Sequence, residues 1–184
     1  MLMREQRALI SEYLRNVDAA ASDLVEKNVV PHPLVLVLDN VRSAHNVGSI
    51  FRTAETACVR EIVTCGITPH PPNEKLWKTA LSATHYVPTR HFESALEAVA
   101  TLKSEGVCVI GMETTSRSLS YTKVDYPQPT ALILGNEITG IDTLVMEACD
   151  VLVEIPTFGI KNSLNVASAA PVVIFEVLRR WGHL

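Results

Sequence analysis

Three polar clusters in this sequence carry residue types that can hold an anion or align a reacting group, and each follows an apolar run. In DNVRSAHNVGSIFRTAE, 39–55, Asn46 is placed to cap a helix and Gly48 lets another group approach the backbone. Arg52 follows Asn46 by six residues. A guanidinium there can hold phosphate in a planar fork. On this segment alone it reads equally as a solvated helix residue paired with Glu55 or Glu61.

In LILGNEITGI, 132–141, the apolar run meets Gly135, Asn136, Glu137 and Gly140. A glycine at a strand end lets a ligand touch the main chain; the plain alternative is a turn with a surface carboxylate. In EIPTFGIKNSLNVASAA, 154–170, Ser163 reads as an N-cap with Asn165 just inside the helix. The backbone donors of that terminus can bind a carboxylate or phosphate, or simply be capped. GIKNS lacks the GxxxxGK[ST] spacing of a phosphate loop, which removes an ATPase reading.

These clusters need rigid elements behind them. PLVLVLDN, 33–40, is apolar without polar alternation and predicts a central parallel strand covered on both faces. From Asn46 to about Cys58, Val47, Ile50, Phe51, Ala54 and Ala57 share one helical face. EIVTCGI, GVCVIGM, TALILG and DVLVEIP predict further strands, with TPHPPNEK as a loop and helices over Phe92–Ser104 and near Asp142–Ala148. The alternation predicts an α/β fold with a mostly parallel sheet flanked by helices, whose ligands lie beyond the carboxyl ends of the strands. A final apolar helix over about Leu164–Trp181 contains Pro171, so a kink or a late start is expected. Residues 1–32 are expected to be a helical extension and linker, with Leu9, Ile10, Leu14 and Leu24 at roughly helical spacing. Residues 33–184 then form the main domain.

The 184 residues, 47% hydrophobic and 20% charged, suit one globular domain. Neither a membrane span nor a secretory signal is legible, so a cytoplasmic location and no membrane partner are expected. Cys58, Cys65, Cys108 and Cys149 lie too far apart for a zinc pattern and are expected to be buried reduced thiols. The histidines show no metal-like spacing, and no metal is expected. A net charge of −4 does not advertise a nucleic-acid binder, although binding depends on where positive charge is displayed.

Taken together and in this order, the three clusters resemble the three motifs of the SpoU family within the SPOUT methyltransferases. Asn46, Gly48 and Arg52 match the first motif, LGNEITG the second and IPTFGIKNSLN the third. The resemblance spans Pro33 to about Arg180. It implies a SPOUT fold with a C-terminal trefoil knot that holds S-adenosylmethionine through main-chain contacts near Met112, Glu113, Gly135, Ile155, Ser163 and Leu164. It also implies a homodimer that brings Arg52 near a neighbouring subunit's cofactor.

The implied activity is transfer of a methyl group to a ribose 2′-hydroxyl of tRNA or rRNA; a noncatalytic RNA-binding module with the same fold is the alternative. Arg52 would clamp a substrate phosphate and stabilise the developing oxyanion, because a guanidinium pKa above about 12 makes it a poor base. Asn46, Glu137 and Asn165 would position the loops, and Ser163 would tie the third loop to the cofactor. The sequence departs from many relatives at Ser43, Ala44 and His45, where they carry a proline. It departs again at ALSATHYVP, 80–88, which lacks a glycine, so Thr84 receives no role.

Overall fold

A computed structural model describes residues 30–184. The helix expected between Glu5 and Lys27 lies outside them. The strands are β1 (His32–Asp39), β2 (Val59–Cys65), β3 (Thr89–Phe92), β4 (Cys108–Met112), β5 (Leu119–Ser120), β6 (Thr130–Leu134) and β7 (Val151–Glu154). They form one seven-stranded sheet in the order β3-β2-β1-β6-β4-β7-β5, and every ladder between them is parallel.

The apolar run of β1 explains its central place. Leu34, Leu36 and Leu38 enter one core and Val35 and Val37 the other, so both faces of the strand are dry. Fully burying each such side chain contributes about 1.5–3 kcal/mol.

The helices are α1 (Ala44–Thr56), α2 (Glu74–Ala80), α3 (Ala83–Tyr86), α4 (Ala95–Ser104), α5 (Thr143–Ala148) and α6 (Val166–Arg180). Ile50 and Phe51 of α1, Leu76 of α2, Ala83 of α3 and Val173, Ile174 and Val177 of α6 share one core. Ala98 and Leu102 of α4 and Val145 of α5 share the other. The sheet is thus covered by α1, α2, α3 and α6 on one face and by α4 and α5 on the other.

The differences from the sequence reading cluster at the sheet edges. The helix expected from Phe92 begins at Ala95, where Ser94 caps it, and Thr89–Phe92 form the edge strand β3. TRHF is short and half-exposed, so it shows no alternation to read. The end of the stretch read as a loop starts α2, because the Asn73 side chain accepts from the Leu76 N–H at 3.0 Å. The final helix runs from Val166 to Arg180 with Pro171 inside it, so it does not start late enough to put the proline in its first turn. Among the thiols only Cys65 is fully buried; Cys58, Cys108 and Cys149 are partly exposed, which corrects the expectation, and none of the four is in a disulfide.

Candidate functional site

A cleft of about 520 Å³ opens beyond the carboxyl ends of β4, β6 and β7. Met112, Glu113 and Thr114 line it after β4, Gly135 to Gly140 after β6, and Glu154, Ile155, Thr157 and Asn162 to Val166 between β7 and α6. All six residues expected to hold a cofactor, Met112, Glu113, Gly135, Ile155, Ser163 and Leu164, line this one cleft, as do Glu137 and Asn165. Its size falls within that of small-molecule sites. Exposed loop backbone with apolar Ile155, Leu164 and Ala169 gives it both hydrogen-bonding groups and a surface for a flat ring.

Glu137 ties the three motifs together. Its carboxylate accepts from the Arg42 and Ser43 N–H groups, each at 3.0 Å, and from the Asn46 side-chain amide at 2.9 Å. The Asn46 carbonyl oxygen in turn accepts from the Asn165 amide at 3.2 Å. Asn46 is only 8% exposed, so its side chain is spent on this link. Partial burial works against ionisation of Glu137, but these donors outweigh it and hold the carboxyl below its ordinary 4.5.

Two capping assignments change as a result. Ser43, not Asn46, caps α1, and α1 begins at Ala44. Asn165, not Ser163, caps α6, accepting from Ala167 at 2.8 Å. Ser163 is an exposed loop residue on the cleft wall.

The second loop is a tight crossing. Asn136 and Gly140 exchange backbone hydrogen bonds at 3.1 and 2.9 Å. A Cβ on Gly135 would lie 2.4 Å from both the Gly140 carbonyl carbon and the Ile141 nitrogen. Gly135 is therefore required first by the loop's own backbone, and only through it by a ligand. Gly140 has φ +70°, and a Cβ there would meet Glu113 Oε2 at 2.3 Å. That oxygen accepts from Ile141 N at 2.9 Å, so Glu113 pins the loop instead of standing free for a ligand. Gly48 likewise serves packing: a Cβ there would lie 2.6 Å from Thr79 Cβ of α2.

Arg52 does not join this constellation. It is exposed on α1, makes no hydrogen bond or ion pair among the described residues, and does not line the cleft. The alternative partner Glu61 is occupied by Arg60 and Arg90, at 2.9 and 2.7 Å. His45 is exposed as well.

The model of the SpoU rRNA methylase family matches residues 33–175. The chain belongs to this family. Among curated relatives, the 23S rRNA (guanosine-2'-O-)-methyltransferase of Ralstonia nicotianae is 34% identical over 148 residues, covering 80% of this chain and 59% of the relative. The AdoMet-bound rRNA methyltransferase structure from Sinorhizobium meliloti superposes with a TM-score of 0.74 at 27% identity, over 82% of this chain and 60% of that one. A solved structure concerning the 2-OH methylation of C/U34 on tRNA matches with a TM-score of 0.72 at 25% identity, over 84% of this chain and 100% of that one. The chain spans about 60% of the length of the curated relatives first matched.

Sequence reasoning missed several residues that build this SpoU site. Asn40, in the left-handed region with φ 53°, accepts from Ile67 N at 3.2 Å and offers its carbonyl to the Asn136 amide at 2.7 Å. Thr68 caps the end of β1 by donating to the Leu38 carbonyl and accepting from Val41 N, both at 3.0 Å. Asp39 is buried, which pushes its carboxyl up, and it accepts from Asp142 N at 3.2 Å. An Asp-Asn pair closing a buried strand was the available signal for Asp39 and Asn40. Thr68 left none, because its partners are 27 and 30 residues away. Among the described residues no group of three or more His, Cys, Asp or Glu could hold a metal ion, and no helix is long and apolar enough to cross a membrane.

Proposed function

We propose that this chain is an S-adenosylmethionine-dependent RNA 2′-O-methyltransferase acting on tRNA or rRNA. The observation that carries the reading is the Glu137–Asn46–Asn165 chain of hydrogen bonds, which joins the cleft to the helix bearing Arg52. The names of the relatives support it: they include rRNA ribose methyltransferases and an AdoMet-bound structure.

The cofactor would supply the methyl group as an electrophile, already activated on a sulfonium. Loop backbone at Met112, Gly135, Ile155 and Leu164 binds it, with Glu113 fixing the loop from below and Ser163 on the outer wall. Holding both reactants in line can be worth about 7–11 kcal/mol of the barrier. Arg52 grips a phosphate beside the target ribose and stabilises the oxyanion that develops at its 2′-oxygen.

Arg52 stands away from its own cleft, so the reading includes a homodimer in which it serves the neighbouring subunit. Val172 and Phe175 support this: they are 38% and 37% exposed on α6, while Val173, Ile174, Val177 and Leu178 on the same helix are buried. It also includes a C-terminal trefoil knot. The return of the chain from β7 past the loops of β4 and β6 to α1, where Asn165 meets Asn46, is the segment that would be threaded.

Isothermal titration with S-adenosylmethionine, followed by transfer of tritiated methyl groups to bulk tRNA and rRNA, tests the proposal. The product is expected to resist alkaline cleavage at the modified nucleotide, because the 2′-oxygen is blocked. Cofactor binding without methyl transfer to any RNA would leave a noncatalytic module.

A further inference from the structure

A second pocket, of about 380 Å³, lies at the other end of the same sheet face. Its walls are the loop after β2, with His70 and Pro71, the helix α3, with Thr84 to Tyr86, and Thr89 and His91 of the edge strand β3. The next residues of β3, Arg90 and Phe92, turn to the opposite face; Arg90 meets Glu61 and Glu105 there, and Phe92 packs on the core beneath α4. The pocket therefore shares its face of the sheet with α1 and Arg52.

Three observations describe what would fill it. First, the hydroxyl of Thr84 is buried without a hydrogen-bond partner, the one such side-chain atom among the described residues. Buried polar atoms are nearly always paired, so this one points to a partner that binds. Second, the walls suit a flat ring. The imidazoles of His70 and His91 stack with centroids 4.0 Å apart, and Trp77 of α2 meets His85 edge-on at 6.0 Å. Tyr86, in the wall itself, is 44% exposed, which leaves an aromatic face open. Third, the ring walls are held in place. The Pro71 carbonyl can only accept, so His70 Nδ1 donates in that 3.1 Å bond and fixes the ring in the wall, and the His91 ring is held likewise by Thr64 at 3.1 Å.

A flat aromatic heterocycle with hydrogen-bonding edges fits all three, and unpaired bases are held in this way by His and Tyr stacking. We propose that this pocket takes an unpaired base of the substrate RNA, a neighbour of the nucleotide that is methylated, with Thr84 bonding its edge. The inference rests on the RNA methylation reading and names a further part of its substrate. α1 packs on α2 at Gly48, and Arg52 follows one turn later. An RNA strand with a phosphate at Arg52 would thus bring a base a few nucleotides away to this pocket while its target ribose enters the neighbouring subunit's cleft.

The test uses the full chain and two fluorescent probes, a short unstructured oligoribonucleotide and its counterpart with abasic ribose at every position. Thr84→Val keeps the shape and removes the hydroxyl; it is expected to weaken binding of the normal probe about tenfold. His70→Ala, which removes a stacking wall, is expected to weaken it by about tenfold or more. Thr84→Ser is expected to restore binding. Neither binding of the abasic probe nor affinity for S-adenosylmethionine should change. Normal oligonucleotide binding by both Thr84→Val and His70→Ala, in a chain that still methylates RNA, would overturn the pocket and leave the function standing. Thr84-dependent binding in a chain that transfers no methyl group would uphold the pocket and sink the catalytic reading. A chain that neither binds the probe nor methylates RNA would overturn both.

Discussion

In the cleft beyond β4, β6 and β7 the side chains that fix the loops, Glu113, Glu137 and Asn165, are already paired with the protein's own backbone and amides. Glu113 accepts from Ile141, Glu137 from Arg42, Ser43 and Asn46, and Asn46 from Asn165. The pocket at the β3 edge is the opposite case, with a buried hydroxyl and no partner for it. The first arrangement fixes loops before any ligand arrives and leaves main chain to do the binding. The second leaves its hydrogen bond to be completed by what enters. A ligand of one constant shape suits the first, and a substrate that must be tested for fit suits the second.

Breaking the paired cavity should have the largest effect. Gly135→Val places a side chain where a Cβ alone would lie 2.4 Å from two backbone atoms of residues 140 and 141. A cost of about 3 kcal/mol, the upper part of the overpacking range, is expected in urea denaturation, together with loss of cofactor binding by calorimetry. A stable variant with normal affinity would show that the crossing can relax.

Arg52→Ala tests the helix that joins the two cavities. It should leave stability and cofactor affinity nearly unchanged and reduce methyl transfer by about a hundredfold. Arg52→Lys keeps the charge and loses the fork; near-normal turnover in it would reduce the role of Arg52 to charge alone.

Asn46→Asp replaces a donor with a second carboxylate facing Glu137, now 2.9 Å from the Asn46 amide. A loss of about 2 kcal/mol is expected. The pH dependence carries a sign. Because the folded value of Glu137 is lowered, its contribution is complete above pH 4.5 and fades as pH falls through the folded value. Melting curves recorded through that acid range should show the fade, and Asn46→Asp should move it upward in pH.

The smallest effect distinguishes the other cavity. Thr84→Val removes an unpaired hydroxyl and should leave stability unchanged or raise it by about 1 kcal/mol. A marked loss of stability would mean that the hydroxyl is paired in the folded protein after all.

The strands that carry the site were legible because each is an apolar run several residues long, as at Leu34–Leu38 and Ala131–Leu134. The edge strand β3, the two-residue β5 and the helices α2 and α3 were not, since each is short and half-exposed and so leaves little periodicity. The residues proposed to hold the cofactor were legible only as a set. Met112 and Glu113 close a strand like many others, and it was the resemblance that joined them to Gly135 and Leu164 in one place. The roles of Asn46 and Ser163 were misread for a local reason: Ser43 and Asn165 stand close enough to cap the same helices.

The sequence by itself determined the alternation of buried strands and amphipathic helices, the three polar clusters at strand ends and the family they belong to, because burial and capping are written in residue type and spacing. Only the tertiary structure decided what those polar groups do. The Asn46 amide is spent on Glu137 and Asn165, 91 and 119 residues away, and no local pattern records a partner that distant. Arg52 has no ion pair among the described residues because Glu61 turns to the other face of the sheet, where Arg90 holds it. Thr84 stays unpaired because β3 and α3 enclose it without an acceptor. A hydrogen bond needs its partner within about 3 Å, and in a parallel sheet the crossovers, not the sequence separation, decide which groups come that close.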